Sequence, residues 1–142
     1  MTLRGDYTCV VRFSDVDAFG HVNNVTYYEY YQEARFSLIH SLVEGEDDPI
    51  LSQVVARLDV DYRRPMLYRA EPYTITSEVT HVGNSSFVVV SRIHDDTEVY
   101  STAESVLVAF DPLTQSSVPL TESQRARLSG EPPVASESRG ES

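Results

Sequence analysis

Between Ser14 and Asn24 the chain reads Ser-Asp-Val-Asp-Ala-Phe-Gly-His-Val-Asn-Asn. Two carboxylates, Asp15 and Asp17, stand near one imidazole, His21, and near a pair of asparagines suited to starting a helix. A carboxylate beside a helix N-terminus sets a base or nucleophile next to main-chain N–H groups that accept negative charge. That pairing meets the two needs of attack on a carbonyl carbon. Asp15, Asp17 and His21 are also metal-ligand types, but the spacing offers no fourth ligand, so no metal or other cofactor is expected. No Gly-x-Ser-x-Gly turn is present, which excludes a serine hydrolase built on a nucleophile elbow.

The flanking segments must position this stretch. Tyr7 to Phe13 alternates, with Cys9, Val11 and Phe13 on one face, and predicts a strand. Val25, Tyr28, Tyr31, Ala34, Leu38 and Leu42 recur at helical spacing, widened by Tyr27 and Tyr30. A helix from Asn24 to Val43 would be roughly 30 Å long at ~1.5 Å per residue. The acidic run Glu44 to Pro49 is expected to stop it. Four strand patterns follow, over Gln53–Arg63, Pro72–Val82, Phe87–Val90 and Val99–Phe110, with hairpin turns at Gly83–Ser85 and Asp95–Thr97. Phe87 to Val90 is apolar on both faces, which predicts a strand covered on both sides and a role in subunit association. Thr121 and Gln124 fit a capping box for a short helix ending near Gly130. One folded domain is expected over residues 1–130. A disordered acidic tail over 131–142 is predicted from its Pro, Ser and Glu content.

Composition sets the outer bounds. A length of 142 residues suits a single domain with a real core. A net charge of −11 argues against binding nucleic acid. No apolar run is long enough to span a bilayer, and the N-terminus does not read as a signal peptide. One cysteine, Cys9, allows no internal disulfide, which points to a reducing cytoplasm. All 11 basic residues are arginines.

The pattern Asp17, Gly20-His21-Val22-Asn23-Asn24, Tyr27, Tyr28, Tyr31, Glu33, Arg35 resembles the 4-hydroxybenzoyl-CoA thioesterase-like branch of the hotdog-fold acyl-CoA thioesterases. A looser likeness continues through Asp61-Tyr62-Arg63-Arg64-Pro65 and Gly83-Asn84-Ser85-Ser86-Phe87, so that residues 5 to 112 are covered. The resemblance implies an α+β hotdog fold: a five-stranded antiparallel sheet wrapped around one long central helix. It implies hydrolysis of an acyl-CoA to the acid and free CoA, with a homodimer or homotetramer sharing its active sites between subunits.

Residue by residue, the resemblance makes Asp17 the catalytic carboxylate, as nucleophile or general base. It brings His21 near the thioester and has the main-chain N–H of Asn24 or Val25 polarise the carbonyl. Tyr28, Arg63, Ser85 and Ser86 are the matching substrate contacts. Phe19 stands where some relatives carry an asparagine, so a mechanism using that amide is not expected. Arg57, Arg63, Arg64, Arg69 and Arg92 are candidates to meet the phosphates of CoA. Asp15 is expected to be a solvated turn residue, and Glu33 to pair with an arginine. Two or three of the four tyrosines at 27, 28, 30 and 31 are expected in the core or at a subunit contact. The chemistry itself is undemanding, because free thiols titrate near ~8.5 and a thiolate leaves without a strong acid. Two rivals remain: hydrolysis of an acyl group from acyl carrier protein, and a non-catalytic module that only binds acyl thioesters.

Overall fold

The computed structural model describes residues 2–42 and 52–130. In chain order it has strand β1 (Arg4–Cys9), a single 3-10 turn (Phe13–Asp15), helix α1 (Thr26–His40) and strands β2 (Gln53–Tyr62), β3 (Tyr73–Val82), β4 (Ser86–His94) and β5 (Val99–Asp111). A two-residue strand β6 (Ser116–Ser117) and helix α2 (Glu122–Leu128) complete it. The sheet is antiparallel, in the order β1-β3-β4-β5-β2, with β6 paired to the end of β5.

Helix α1 lies on one face of this sheet and makes two apolar clusters with it. Tyr27, Tyr30, Tyr31 and Ala34 pack with Cys9, Val11, Tyr73, Ile75 and Ile93. One turn further on, Leu38 and Ile39 pack with Val79, Phe87, Val89 and Leu107, and Leu128 of α2 closes that end. Helix and strand approach so closely at Gly5 that a Cβ there would lie 3.1 Å from the Leu38 side chain. The expected alternation of β3 is met, with Tyr73, Ile75, Ser77 and Val79 all buried. Thr121 and Gln124 form the expected capping box at the start of α2.

Three expectations need correction. Helix α1 begins at Thr26, not Asn24, because the Asn23 side chain takes the Val25 N–H at 3.0 Å and holds the chain in a turn before the helix, and it ends at His40, where the Leu42 N–H turns back to Ile39 O. The first strand stops at Cys9, and Phe13 is 79% exposed, because the carboxylate of Asp15 accepts the Arg12 N–H and folds the chain into the 3-10 turn. Strand β4 is not covered on both faces by this chain: Phe87, Val89 and Ile93 are buried, but Val88 is half-buried and Val90 exposed. It is interior to the sheet, flanked by β3 and β5. The acidic run 44–49 and the tail 131–142 lie outside the described residues.

Candidate active site

The Asp17 loop is built from main-chain bonds. The Asp17 N–H donates to His21 O at 2.9 Å, and the Gly20 N–H donates to Asp17 O at 3.0 Å. Gly20 has φ +81°, the left-handed region where a side chain is strained, so glycine closes the turn. The Asp17 Oδ1 atom accepts the N–H groups of Phe19 at 2.9 Å and His21 at 3.2 Å. Among the described residues Oδ2 has no hydrogen-bond partner. The carboxylate is thus aimed by its own loop, with one oxygen left open. Bridges from Val16 to Val22 and from His21 to Leu67 tie the loop to the rest of the domain.

Asp15 lies under this loop and is buried, not solvated, at 3% exposure. Arg12 pairs with it at 2.9 Å, and the Tyr30 hydroxyl donates to it at 2.7 Å. Burial alone would raise this carboxyl, but the bonds from Arg12 and Tyr30 outweigh it and hold the group below the usual carboxylate range. Asp15 also accepts, through its main-chain oxygen, the Asn23 N–H at 2.8 Å. It therefore anchors the helix start to the strand end and takes no open place in the site. Asp15→Ala is expected to destabilise the fold by about 2–3 kcal/mol, since it leaves a buried tyrosine hydroxyl unpaired; urea unfolding at neutral pH measures it. The Asp15 contribution is present above the ordinary aspartate range near ~3.9 and is lost as pH falls toward the lowered native value.

At the helix start the N–H groups divide. The Val25 N–H is bonded to Asn23 Oδ1, and the Thr26 N–H to Asn23 O. The Asn24 N–H has no partner among the described residues. Of the two expected carbonyl donors, the structure leaves Asn24 open and removes Val25. The side chain of Val25 is exposed and lies outside the cavity described next.

Asp17, His21 and Asn24 line one cavity of about 390 Å³, together with Val22, Tyr27, Tyr62, Arg63, Arg64 and Pro65. Two tyrosines fix its shape. The Tyr27 hydroxyl accepts the Met66 N–H at 3.1 Å, and the Tyr62 hydroxyl donates to Asn24 O at 2.8 Å. Their rings meet edge to face at 4.8 Å. The segment after β2 is thereby held against the helix start, and Tyr100 O accepts the N–H groups of Arg63 and Arg64. Tyr62 and Pro65 were legible only as members of the Asp61–Pro65 likeness, with no sign that they would line the site.

The remaining candidates divide as follows. Tyr28 is exposed beside Tyr62, at the rim. Ser85 and Ser86 sit at the β3–β4 hairpin, at the far end of β3 from Tyr73 and the Leu67–His21 bridge. Within one chain they do not reach the cavity. Of the arginines, Arg57 pairs with Asp59, Arg64 with Glu98 and Arg69 with Asp95. Arg63 makes no ion pair among the described residues and faces the site. Arg92 lies on β4, away from it. Glu33 makes no ion pair among the described residues either; it borders a separate cavity with Tyr7, Arg12 and Glu29. Tyr27, Tyr30 and Tyr31 are buried in the core, where two or three of the four tyrosines were expected in the core or at a subunit contact. Burial pushes the Cys9 thiol up to about 12, which removes it as a thiolate nucleophile. No group of three or more His, Cys, Asp or Glu side chains placed to hold a metal ion occurs among the described residues.

With this geometry in hand, comparison with known proteins decides the family. The model of the thioesterase-like superfamily matches residues 11–128. The chain belongs to that superfamily. Long-chain acyl-CoA thioesterase FadM of Escherichia coli (strain K12) is 27% identical over 122 residues, 83% of this chain and 92% of FadM. The Bacillus subtilis (strain 168) protein YsmA is 37% identical over 79 residues, 56% of this chain, and the match spans about half of YsmA at 53%. Among solved structures, a thioesterase of Thermus thermophilus complexed with coenzyme A and Zn superposes with a TM-score of 0.75 at 29% identity, covering 87% of this chain and 95% of that one. The expected hotdog fold and thioesterase class are met. No helix among the described residues is long and apolar enough to cross a membrane.

Proposed function

We propose that the protein hydrolyses an acyl-CoA thioester to the acid and free CoA in the cavity between Asp17 and Asn24. The observation that carries this reading is the division of bonds in the loop. Asp17 spends Oδ1 on two main-chain N–H groups and keeps Oδ2 open, while Asn24 keeps its N–H open on the same cavity. A thioester carbonyl placed between them has its oxygen on the Asn24 N–H and its carbon toward Oδ2. Asp17 then attacks the carbon directly, forming a mixed anhydride that water cleaves to the acid and the free carboxylate, or takes a proton from the water that attacks in its place. Negative charge gathering on the carbonyl oxygen falls on the Asn24 N–H and the start of α1. The thiolate of CoA departs and takes up a proton from water. His21 borders the same cavity with its ring free of protein hydrogen bonds among the described residues, in place to contact substrate or water. Arg63, at the mouth, supplies positive charge for the phosphates of CoA in a chain that is otherwise acidic.

CoA thioesters are favoured over acyl carrier protein, because a net charge of −11 opposes an acidic protein partner. A module that merely binds acyl thioesters would have no use for an open, aimed carboxylate. The lone buried Cys9 and a CoA substrate suit a cytoplasmic enzyme. Release of thiol from acyl-CoA substrates of varied length and type is the direct test, and no release from any of them would defeat the reading.

The active form is a dimer paired through β2. This strand ends the sheet, and among the described residues nothing pairs its outer edge. It is ten residues long and exposes Val54, Val55 and Tyr62. A long edge of this kind recruits another strand, and a two-fold axis would pair β2 with its copy. The axis brings the Gln53 end of one strand to the Tyr62 end of the other. Ser85 and Ser86, level with Val54 through Val108 of β5, are thereby carried toward the other subunit's cavity. Light scattering at micromolar concentration is expected to give the mass of two chains or four; the mass of one chain would refute the assembly.

A further inference from the structure

We propose that Arg35 heads a carboxylate-binding pocket for the far end of the acyl group, so that the enzyme prefers thioesters of dicarboxylic acids. The inference rests on the acyl-CoA reading and on the β2-paired dimer.

Arg35 lies in the middle of α1 and is only 9% exposed. Its one hydrogen bond among the described residues is a long one, from Nη1 to Ser105 Oγ at 3.5 Å. No carboxylate pairs with it among the described residues. A guanidinium taken out of water and left without an anion is costly, and proteins seldom keep one without a use. Burial pushes its proton affinity down, the mark of desolvation with no compensating anion.

The group borders a cavity of about 250 Å³. Phe36, Ile39, Val55 and Leu107 give it apolar walls, and Gln32 and Gln53 add amides. A planar guanidinium at the end of an apolar slot matches a carboxylate on a hydrocarbon stem, which it can bind through two parallel hydrogen bonds.

The place of the cavity suggests which stem. Within one chain the two cavities share no lining residue, and Tyr31, which follows Tyr27 and precedes Arg35 by a helical turn, is fully buried with its hydroxyl donating to Ser101. Gln53 and Val55, however, form the start of β2, the end that the two-fold axis brings to the other subunit's Tyr62 and thioester cavity. The Arg35 cavity then continues that thioester cavity inward, opposite the mouth that takes CoA. The axis supplies no rival anion from β2. Leu58 and Val60 pack toward the helix, so alternation turns Asp59 and Asp61 to the other face of the sheet.

The test uses pairs of acyl-CoA thioesters of equal length, one ending in a methyl group and one in a carboxylate, with the wild-type chain and with Arg35→Met and Arg35→Lys. The wild type is expected to favour the carboxylate-ended member by at least about 10-fold in kcat/KM, and Arg35→Met to lower that ratio by about 100-fold, as loss of a charged hydrogen-bonding group does. Arg35→Lys, which keeps the charge and loses the fork, should fall between. Equal loss on both members, with the ratio unchanged, would show a merely structural arginine and overturn the proposal. So would a wild-type preference for the methyl-ended member. Thermal unfolding with a free dicarboxylic acid of six to ten carbons gives a readout without turnover. The acid should raise the wild-type Tm and leave that of Arg35→Met unmoved, and no wild-type shift would count against the pocket. A retained shift with no hydrolysis of any thioester would instead sink the acyl-CoA reading.

Discussion

Asp17→Asn is expected to lower the rate of acyl-CoA hydrolysis by at least ~100-fold, the usual scale for a lost base or nucleophile. The substitution is informative because of how the loop is made. Both hydrogen bonds to the Asp17 carboxylate among the described residues come from main-chain N–H groups and land on Oδ1. An asparagine amide keeps an oxygen at that place and loses only the charge and the second oxygen. The Phe19 and His21 bonds, and with them the turn through Gly20, should survive, and the Tm should match that of the wild type. Asp17→Ala would remove the acceptor as well and confound chemistry with a disordered loop. A well-folded Asp17→Asn protein with near-normal turnover would move the catalytic carboxylate elsewhere. Among the described residues nothing stands ready to replace it. Asp15 is engaged by Arg12 and Tyr30, and Glu33 borders a different cavity.

The contrast between Asp15 and Asp17 shows what was legible in the sequence. The order of elements, the polar loop and the capping of α2 follow from local pattern, and the structure has them. Which of two aspartates two residues apart is buried does not follow, because it depends on Tyr30, a full helical turn inside α1, and on where β1 stops. Phe13 illustrates the same point. Alternation places it on the face of Cys9 and Val11, and a bond from the Arg12 N–H to the Asp15 carboxylate turns the chain before Phe13 can reach the core. The shortening of α1 has a parallel cause, since Asn23 bonds forward to Val25. Strand β4 misled for a different reason. Its apolar pattern predicts cover on both faces, but helix α1 covers only one, so that Val88 is half-buried and Val90 exposed; what lies against the second face is a matter of packing, which periodicity does not carry. Arg35 was visible only as part of a family-like pattern. Its burial without an anion is a property of packing between α1, β2 and β5.

Removing the Asn24 N–H should weaken catalysis nearly as much as removing the Asp17 charge. Asn24→Pro deletes that donor, and loss of one such donor costs about 100- to 1000-fold in kcat. The position tolerates the change better than the helix interior would. It precedes α1, its N–H makes no bond within the described fold, and its exposed side chain makes none either. Proline is compatible with the start of a helix, where the first N–H groups have no helical partner. The Tyr62 hydroxyl bonds to the carbonyl of residue 24, which proline retains. Asn24→Ala serves as the control, since it removes the side chain and keeps the N–H; its kcat should stay within a few-fold of the wild type. A bound, non-hydrolysable acyl-CoA analogue checks the geometry directly. Its carbonyl oxygen should lie about 3 Å from the Asn24 nitrogen, with Asp17 Oδ2 on the other side of the carbonyl carbon. If Asn24→Pro folds and turns over like the control, the helix start is no oxyanion site, and Asp17 must act on a carbonyl polarised by some other group of the cavity.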